Sequence, residues 1–211
     1  MPFSRFARMP EEKRERLLTT AAQEFATYGY EGASLNRILE LAQIGKSSAY
    51  YYFADKADLF ATVAAWSVDR LHLAVPVEAI AELSADTFWT TVSAGHVESL
   101  LRARQQPWLF GAARAALQLS AESLEHDSLR ELAIHLTAGM NALIEKGQTL
   151  GLIRADLPTG LLETWFRAID GSSDDWLLAH LEQLDEETLR QIAEETMKAI
   201  RRILAAPGQP P

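Results

Sequence analysis

A chain of 211 residues, 48% hydrophobic and 23% charged with only 11 Gly and 8 Pro, is long and apolar enough to bury one or two real cores. It has no cysteine, which excludes disulfide frameworks, thiolate metal sites and cysteine nucleophiles, and no apolar run approaches the ~20 residues of a membrane span. The formal charge of −9 argues against a nucleic-acid partner only until it is divided along the chain: residues 1–56 hold eight Lys/Arg and seven Asp/Glu, a net +1, and the remainder carries −10.

The opening Met-Pro-Phe-Ser-Arg-Phe-Ala-Arg has basic residues with no apolar stretch behind them, so it does not read as a signal peptide, and a cytoplasmic protein is expected. From Pro10, a good first helical residue, Leu17, Leu18, Ala21, Ala22, Phe25 and Ala26 form one apolar stripe, and Gly29 suits the left-handed position past the helix end. Ser34 is placed to cap a short helix with Leu35, Ile38, Leu41 and Ala42 facing inward. Gln43-Ile44-Gly45 turns the chain into a third short helix, Lys46 to about Phe53, and Asp55 caps a fourth that stops near Pro76. Helical patterns then run from about Asp86 to Arg104, Pro107 to Leu119, Ser128 to Leu150, and Thr159 to Leu184 with a break expected around Gly171-Ser172-Ser173, and Asp185 caps the last. Strand and hairpin signals are nearly absent. The expected fold is all-α, about nine helices: an N-terminal tri-helical helix-turn-helix domain over 1–55, a C-terminal helical ligand-binding and dimerisation domain over 56–206, and a disordered tail over 207–211.

Two short helices joined by a tight turn cannot bury a core alone. They must pack on the helix before them, which is the helix-turn-helix plan whose second short helix enters the major groove. Lys46, Ser47 and Ser48 put donors at the N-terminal end of that helix, where free backbone N–H groups and the positive dipole end also favour phosphate. Tyr50, Tyr51 and Tyr52 spread over about 100° per residue, so at least one ring packs inward and the others are left for phosphate oxygens or thymine methyls.

The run Leu-Leu-Thr-Thr-Ala-Ala-Gln-Glu-Phe-Ala-Thr-Tyr-Gly-Tyr-Glu-Gly-Ala-Ser-Leu (17–35) and the run Ile-Leu-Glu-Leu-Ala-Gln-Ile-Gly-Lys-Ser-Ser-Ala-Tyr-Tyr-Tyr-Phe-Ala-Asp-Lys-Ala-Asp-Leu (38–59) resemble the opening of the tetracycline-repressor (TetR) family. The resemblance implies a homodimer that binds an inverted-repeat operator and releases it when a small-molecule effector enters the C-terminal domain. By position it implies that Lys46, Ser47, Ser48 and Tyr51 lie at or near bases, that Ser34, Tyr50, Tyr52 and Lys56 meet phosphates, and that Arg37 reaches either. Read for themselves, Tyr50 is equally a core ring, Lys56 a solvated helix start, and Arg5 and Arg8 a flexible arm rather than a minor-groove reader. The family's usual turn glycine is Gln43 here and its usual serine is Gly45, which predicts that the flexible residue of the turn moves two positions along.

In the C-terminal part only Gly-Leu-Ile-Arg-Ala-Asp-Leu (151–157) resembles the family, as its turn between two long helices. The resemblance implies a homodimer through the last two helices and an effector pocket between about residues 56 and 180. Trp66, Trp89, His96, Trp108, Phe110 and Trp165 are the candidate lining residues, each also readable as plain core, with His96 the best polar candidate. No cofactor or metal is expected: Glu131 and His135 share a helix face but read as a surface pair. No enzyme is expected either. Gly45-Lys46-Ser47 resembles the end of a P-loop, yet the glycine such a loop needs at position 40 is Glu40 and no strand precedes it. The rival reading is a helical small-molecule or protein-binding module that no longer binds DNA, which keeping Lys46, Ser47, Ser48 and Lys56 disfavours.

Overall fold

The computed structural model describes residues 4–71, 73 and 77–208. Pro76, where the fourth helix was expected to stop, and residues 209–211 of the expected disordered tail lie outside the described residues. The all-α expectation holds: α1 (Glu11–Gly32), α2 (Leu35–Leu41), α3 (Lys46–Tyr52), α4 (Lys56–Leu71), α5 (Val77–Ala81), α6 (Phe88–Gln105), α7 (Pro107–Leu117), α8 (Asp127–Thr149), α9 (Thr159–His180) and α10 (Glu186–Leu204) follow one another, with short 3-10 helices at Ser4–Arg8 and Ser123–Glu125. Among the described residues this is one α-helix more than the expected nine, because five residues at Val77–Ala81 also wind. The expected break in α9 is absent. Leu162, Asp174 and Leu177 are buried on either side of Gly171, and that tertiary burial outweighs the roughly 1 kcal/mol a mid-helix glycine costs.

The chain divides into two compact units, Met1–Leu71 with Gln106–His135 and His72–Gln105 with Leu136–Pro211. In the first, α1 packs against α4 and α7 and carries α2 and α3 at its side. Leu17, Ala21, Ala22 and Phe25 of α1 have no exposed surface, and the Phe25 ring meets Phe60 of α4 edge-on at 4.8 Å. Burying such side chains contributes about 1.5–3 kcal/mol each. α7 approaches α1 so closely that a Cβ on Gly111 would lie 2.7 Å from the Cβ of Ala26. In the second unit α10 packs on α6 and α9 over a core that includes Ile80, Phe88, Ile144, Ile153, Leu162, Met197 and Ile200. The 151–157 turn is clipped to the end of α10, Arg154 N–H donating to Leu204 O at 2.8 Å and Ala206 N–H to Leu152 O at 3.2 Å.

Candidate nucleic-acid interface

Each short helix starts where its cap residue dictates. The Ser34 hydroxyl oxygen accepts the N–H of Arg37 at 3.4 Å, opening α2. Gly45, in extended backbone with φ −66° and ψ 145°, is the N-cap of α3. Between them the residue in the left-handed region is Gln43, with φ +57°. The expected two-position shift of the turn is therefore overturned: the turn keeps its left-handed residue at position 43 and makes a non-glycine residue adopt it. Local hydrogen bonds hold it there, since the N–H of Gln43 donates to Glu40 O at 3.0 Å and the N–H of Ile44 to Leu39 O at 2.9 Å. Arg16 of α1 ties down the same corner by donating Nε to Ala42 O at 2.9 Å.

α3 turns one residue inward and most of the rest outward. Ala49 is buried; Lys46, Ser47, Ser48, Tyr50 and Tyr51 are exposed, the two phenols at 56% and 52%. Tyr50 is therefore a surface ring and not a core one. Tyr52 is half-buried, its ring meeting Phe6 edge-on at 6.3 Å.

Two of the expected contact residues are engaged inside the protein. Arg37 Nε and Nη2 donate to the buried Glu24 carboxylate at 3.0 and 2.8 Å, its guanidinium lies 4.3 Å over the Tyr28 ring, and Glu24 holds its pKa above the ordinary value. The same Glu24 oxygen accepts the N–H of Ser34 at 2.9 Å. Arg37 thus joins α2 to α1 while its outer edge remains open to solvent. Lys56 has been given a different set of partners from phosphate: its ammonium donates to Tyr30 O, Glu31 O and Ala33 O at 2.7, 3.2 and 3.2 Å, and so closes the end of α1. An ammonium has three N–H donors, and three carbonyls accept them. The end of α1 is held from outside too. Glu31 accepts the hydroxyls of Ser123 at 2.7 Å and Ser120 at 3.1 Å, and the Ser123 bond is the chief reason its pKa falls below the usual carboxylate range.

Some participants left weak signals in the sequence. Glu24 interrupts an apolar stripe, which marks a buried carboxylate only when its partner is known. The segment before α1 was expected to be flexible; instead Ser4–Arg8 is wound, with Phe6 and Met9 buried against the domain. Their i, i+3 spacing was the available clue.

Of the pocket candidates, Trp66 stacks on Trp108 at 6.0 Å with Arg70 over it at 5.1 Å, and Phe110 is core, all in the first unit. Trp89 and Trp165 border the core of the second unit. His96, also there, keeps its Nδ1 3.9 Å from Asp170 Oδ1, too far for a hydrogen bond, and its Nε2 is buried without a partner. Burial lowers the His96 pKa, and Asp170 offsets part of that.

Residues 17–63 match the family described as bacterial regulatory proteins, tetR family. Over that segment, under a quarter of the chain, the sequence is similar to the tetR family. Like it in sequence is the HTH-type transcriptional repressor AcnR of Corynebacterium glutamicum, 25% identical over 166 residues that cover 76% of this chain and 79% of that protein. The HTH-type transcriptional repressor SCO4008 of Streptomyces coelicolor is 38% identical over 72 residues, 34% of this chain and 38% of that protein. In structure, a TetR family transcriptional regulator from Chloroflexus aurantiacus superposes with a TM-score of 0.61 at 24% identity, covering 97% of this chain and 99% of that one, and shares its fold. The matched segment 17–63 spans α2, α3, most of α1 and the first half of α4.

Proposed function

We propose that this protein is a transcriptional repressor that binds an inverted-repeat DNA operator as a homodimer, with α3 in the major groove, and releases it when a small molecule enters the second unit. The observation that carries the reading is the composition of α3: a helix of seven residues that exposes one lysine, two serines and two tyrosines while its single buried residue, Ala49, seats it on the domain. A purely structural helix of that length has no use for five exposed donors. Lys46, Ser47, Ser48 and Tyr51 are the base-reading candidates, and Ser34, Tyr50 and Tyr52, with the open edge of Arg37, the phosphate ones. Lys56 acts instead as an internal clamp. Being named repressors, AcnR and SCO4008 favour repression over activation.

Dimerisation through α9 and α10 is supported by apolar surface left on those helices: Leu161, Trp176 and Ile203 are 38%, 48% and 40% exposed. Two-fold pairing would double the contacts of one short helix on a palindromic site. Entry of the effector among α6, α9 and the second-unit part of α8 is supported by the partly buried Trp89, His96, Met140 and Trp165 and by the unpaired ring nitrogen of His96. The test is selection of bound sequences from a random duplex pool at low salt. An enriched inverted repeat is expected, and no enrichment by protein purified and refolded free of bound small molecules would leave the binding-module reading in its place.

A further inference from the structure

We propose that the 3-10 helix Ser4–Arg8 is a second DNA-contacting element built onto the end of α3, with Arg8 neutralising a backbone phosphate and Arg5 positioning Tyr51. The proposal rests on the reading that α3 docks on DNA. Its geometry follows from three residues per turn: side chains at i and i+3 eclipse one another, so Phe6 and Met9 share one side of the segment and Arg5 and Arg8 another. The first side is the anchor. Phe6 is 8% exposed and Met9 4%, and the Phe6 ring lies 4.9 Å from Phe53 and 6.3 Å from Tyr52. The second side faces the exposed phenols of α3: the Arg5 guanidinium is 4.3 Å over the Tyr51 ring, and its Nε donates to Tyr51 O.

Tyr51 O belongs to the last turn of α3, whose carbonyls have no partner within the helix. A cation there complements the negative end of the helix dipole as well. Arg5 therefore fixes the tyrosine from both ends, by its backbone and by its ring. Arg8 lies one turn further along the same side, exposed and in no ion pair among the described residues. A cation on an anchored segment beside a groove-reading helix gives up less backbone freedom on meeting phosphate than one on a loose tail, which is what anchoring by Phe6 achieves.

The test uses the full chain and a duplex enriched by the wild-type protein, with affinity measured by fluorescence anisotropy across a NaCl series. A phosphate contact contributes about 0.9 to the slope of log affinity against log salt, so Arg8→Gln is expected to flatten it by about 0.9 for each protomer bound. For a dimer this extrapolates to roughly 30-fold weaker binding at 0.15 M salt, shared equally by duplexes of different sequence. Phe6→Ala, which frees the whole segment, should flatten the slope at least as much. Arg5→Gln should relax discrimination against base changes within the half-site. If Lys46→Ala loses operator binding while Arg8→Gln and Phe6→Ala keep the wild-type affinity and slope, the segment is only a strap on the fold and the proposal is overturned. Lower thermal stability in Arg8→Gln with an unchanged slope would overturn it too. Failure of wild-type protein to bind any duplex would overturn the α3 reading itself.

Discussion

Replacing Lys56 by methionine keeps the length of its stem and removes the ammonium that three carbonyls of the α1 end accept. Each bond from a charged donor contributes about 1.5–3 kcal/mol where water is excluded. Here the site is only half-buried, water can replace part of the set, and holding a lysine still costs up to about 2 kcal/mol of rotamer freedom. The Lys56 ammonium also lies 4.6 Å over the Tyr30 ring, a contact of about 0.5–1 kcal/mol. The net expectation for Lys56→Met is a loss of about 2 kcal/mol. In urea unfolding at fixed protein concentration, with a slope of about 1–3 kcal/mol/M, the midpoint should fall by roughly 1 M. The salt slope of DNA binding should not change, because the ammonium's three donors are already committed to carbonyls. A variant with wild-type stability whose salt slope flattens by about 0.9 per protomer would refute this reasoning and return Lys56 to the phosphate set.

The left-handed Gln43 costs about 1–2 kcal/mol of steric strain, and glycine would relieve it while loosening the unfolded chain by about 0.4–1 kcal/mol. Gln43→Gly is therefore expected to stabilise the protein by roughly 0.5–1 kcal/mol, seen as a melting temperature higher by about 1–4 °C; a lower one would contradict the strain argument. His96 has its pKa pushed below the ordinary 6.5 chiefly by burial. The unfolded chain then takes up the proton more readily, so the stability His96 contributes is intact above about pH 6.5 and is lost as pH falls below it. His96→Gln should flatten the pH profile of stability between pH 6.5 and 5, and superimposable profiles for the two proteins would show that His96 is solvated in both states.

The helices were legible because their cause is local. Ser34, Gly45, Asp55 and Asp185 start helices where capping rules place them, and Gly29, with φ +66°, bends α1 where a left-handed residue was expected. The exposed donors of α3 were legible too, as a helix too short to hide them. What local rules did not reach is partnership. Lys56 reads as a phosphate ligand until the fold brings three carbonyls from 23 to 26 residues away onto it. Phe6 reads as part of a loose end until a surface of α3 and its C-cap is there to receive it. Gln43 shows the converse, a position where the neighbouring hydrogen bonds overrule the residue's own preference. Gly171 was read as a break for the same reason, because burial along α9 has no trace in the four residues around it.

The most direct test of α3 as the DNA-reading element is the affinity of Lys46→Ala and Tyr51→Ala for the duplex enriched by the wild-type protein, measured beside far-ultraviolet circular dichroism and sedimentation. A well-made base contact discriminates by about 1–3 kcal/mol. A dimer loses the contact in both half-sites, so both variants should bind at least roughly 30-fold more weakly while keeping wild-type helicity and oligomeric state. Two variants that fold, associate and bind the duplex as tightly as the wild type would contradict the assignment of α3 to the groove.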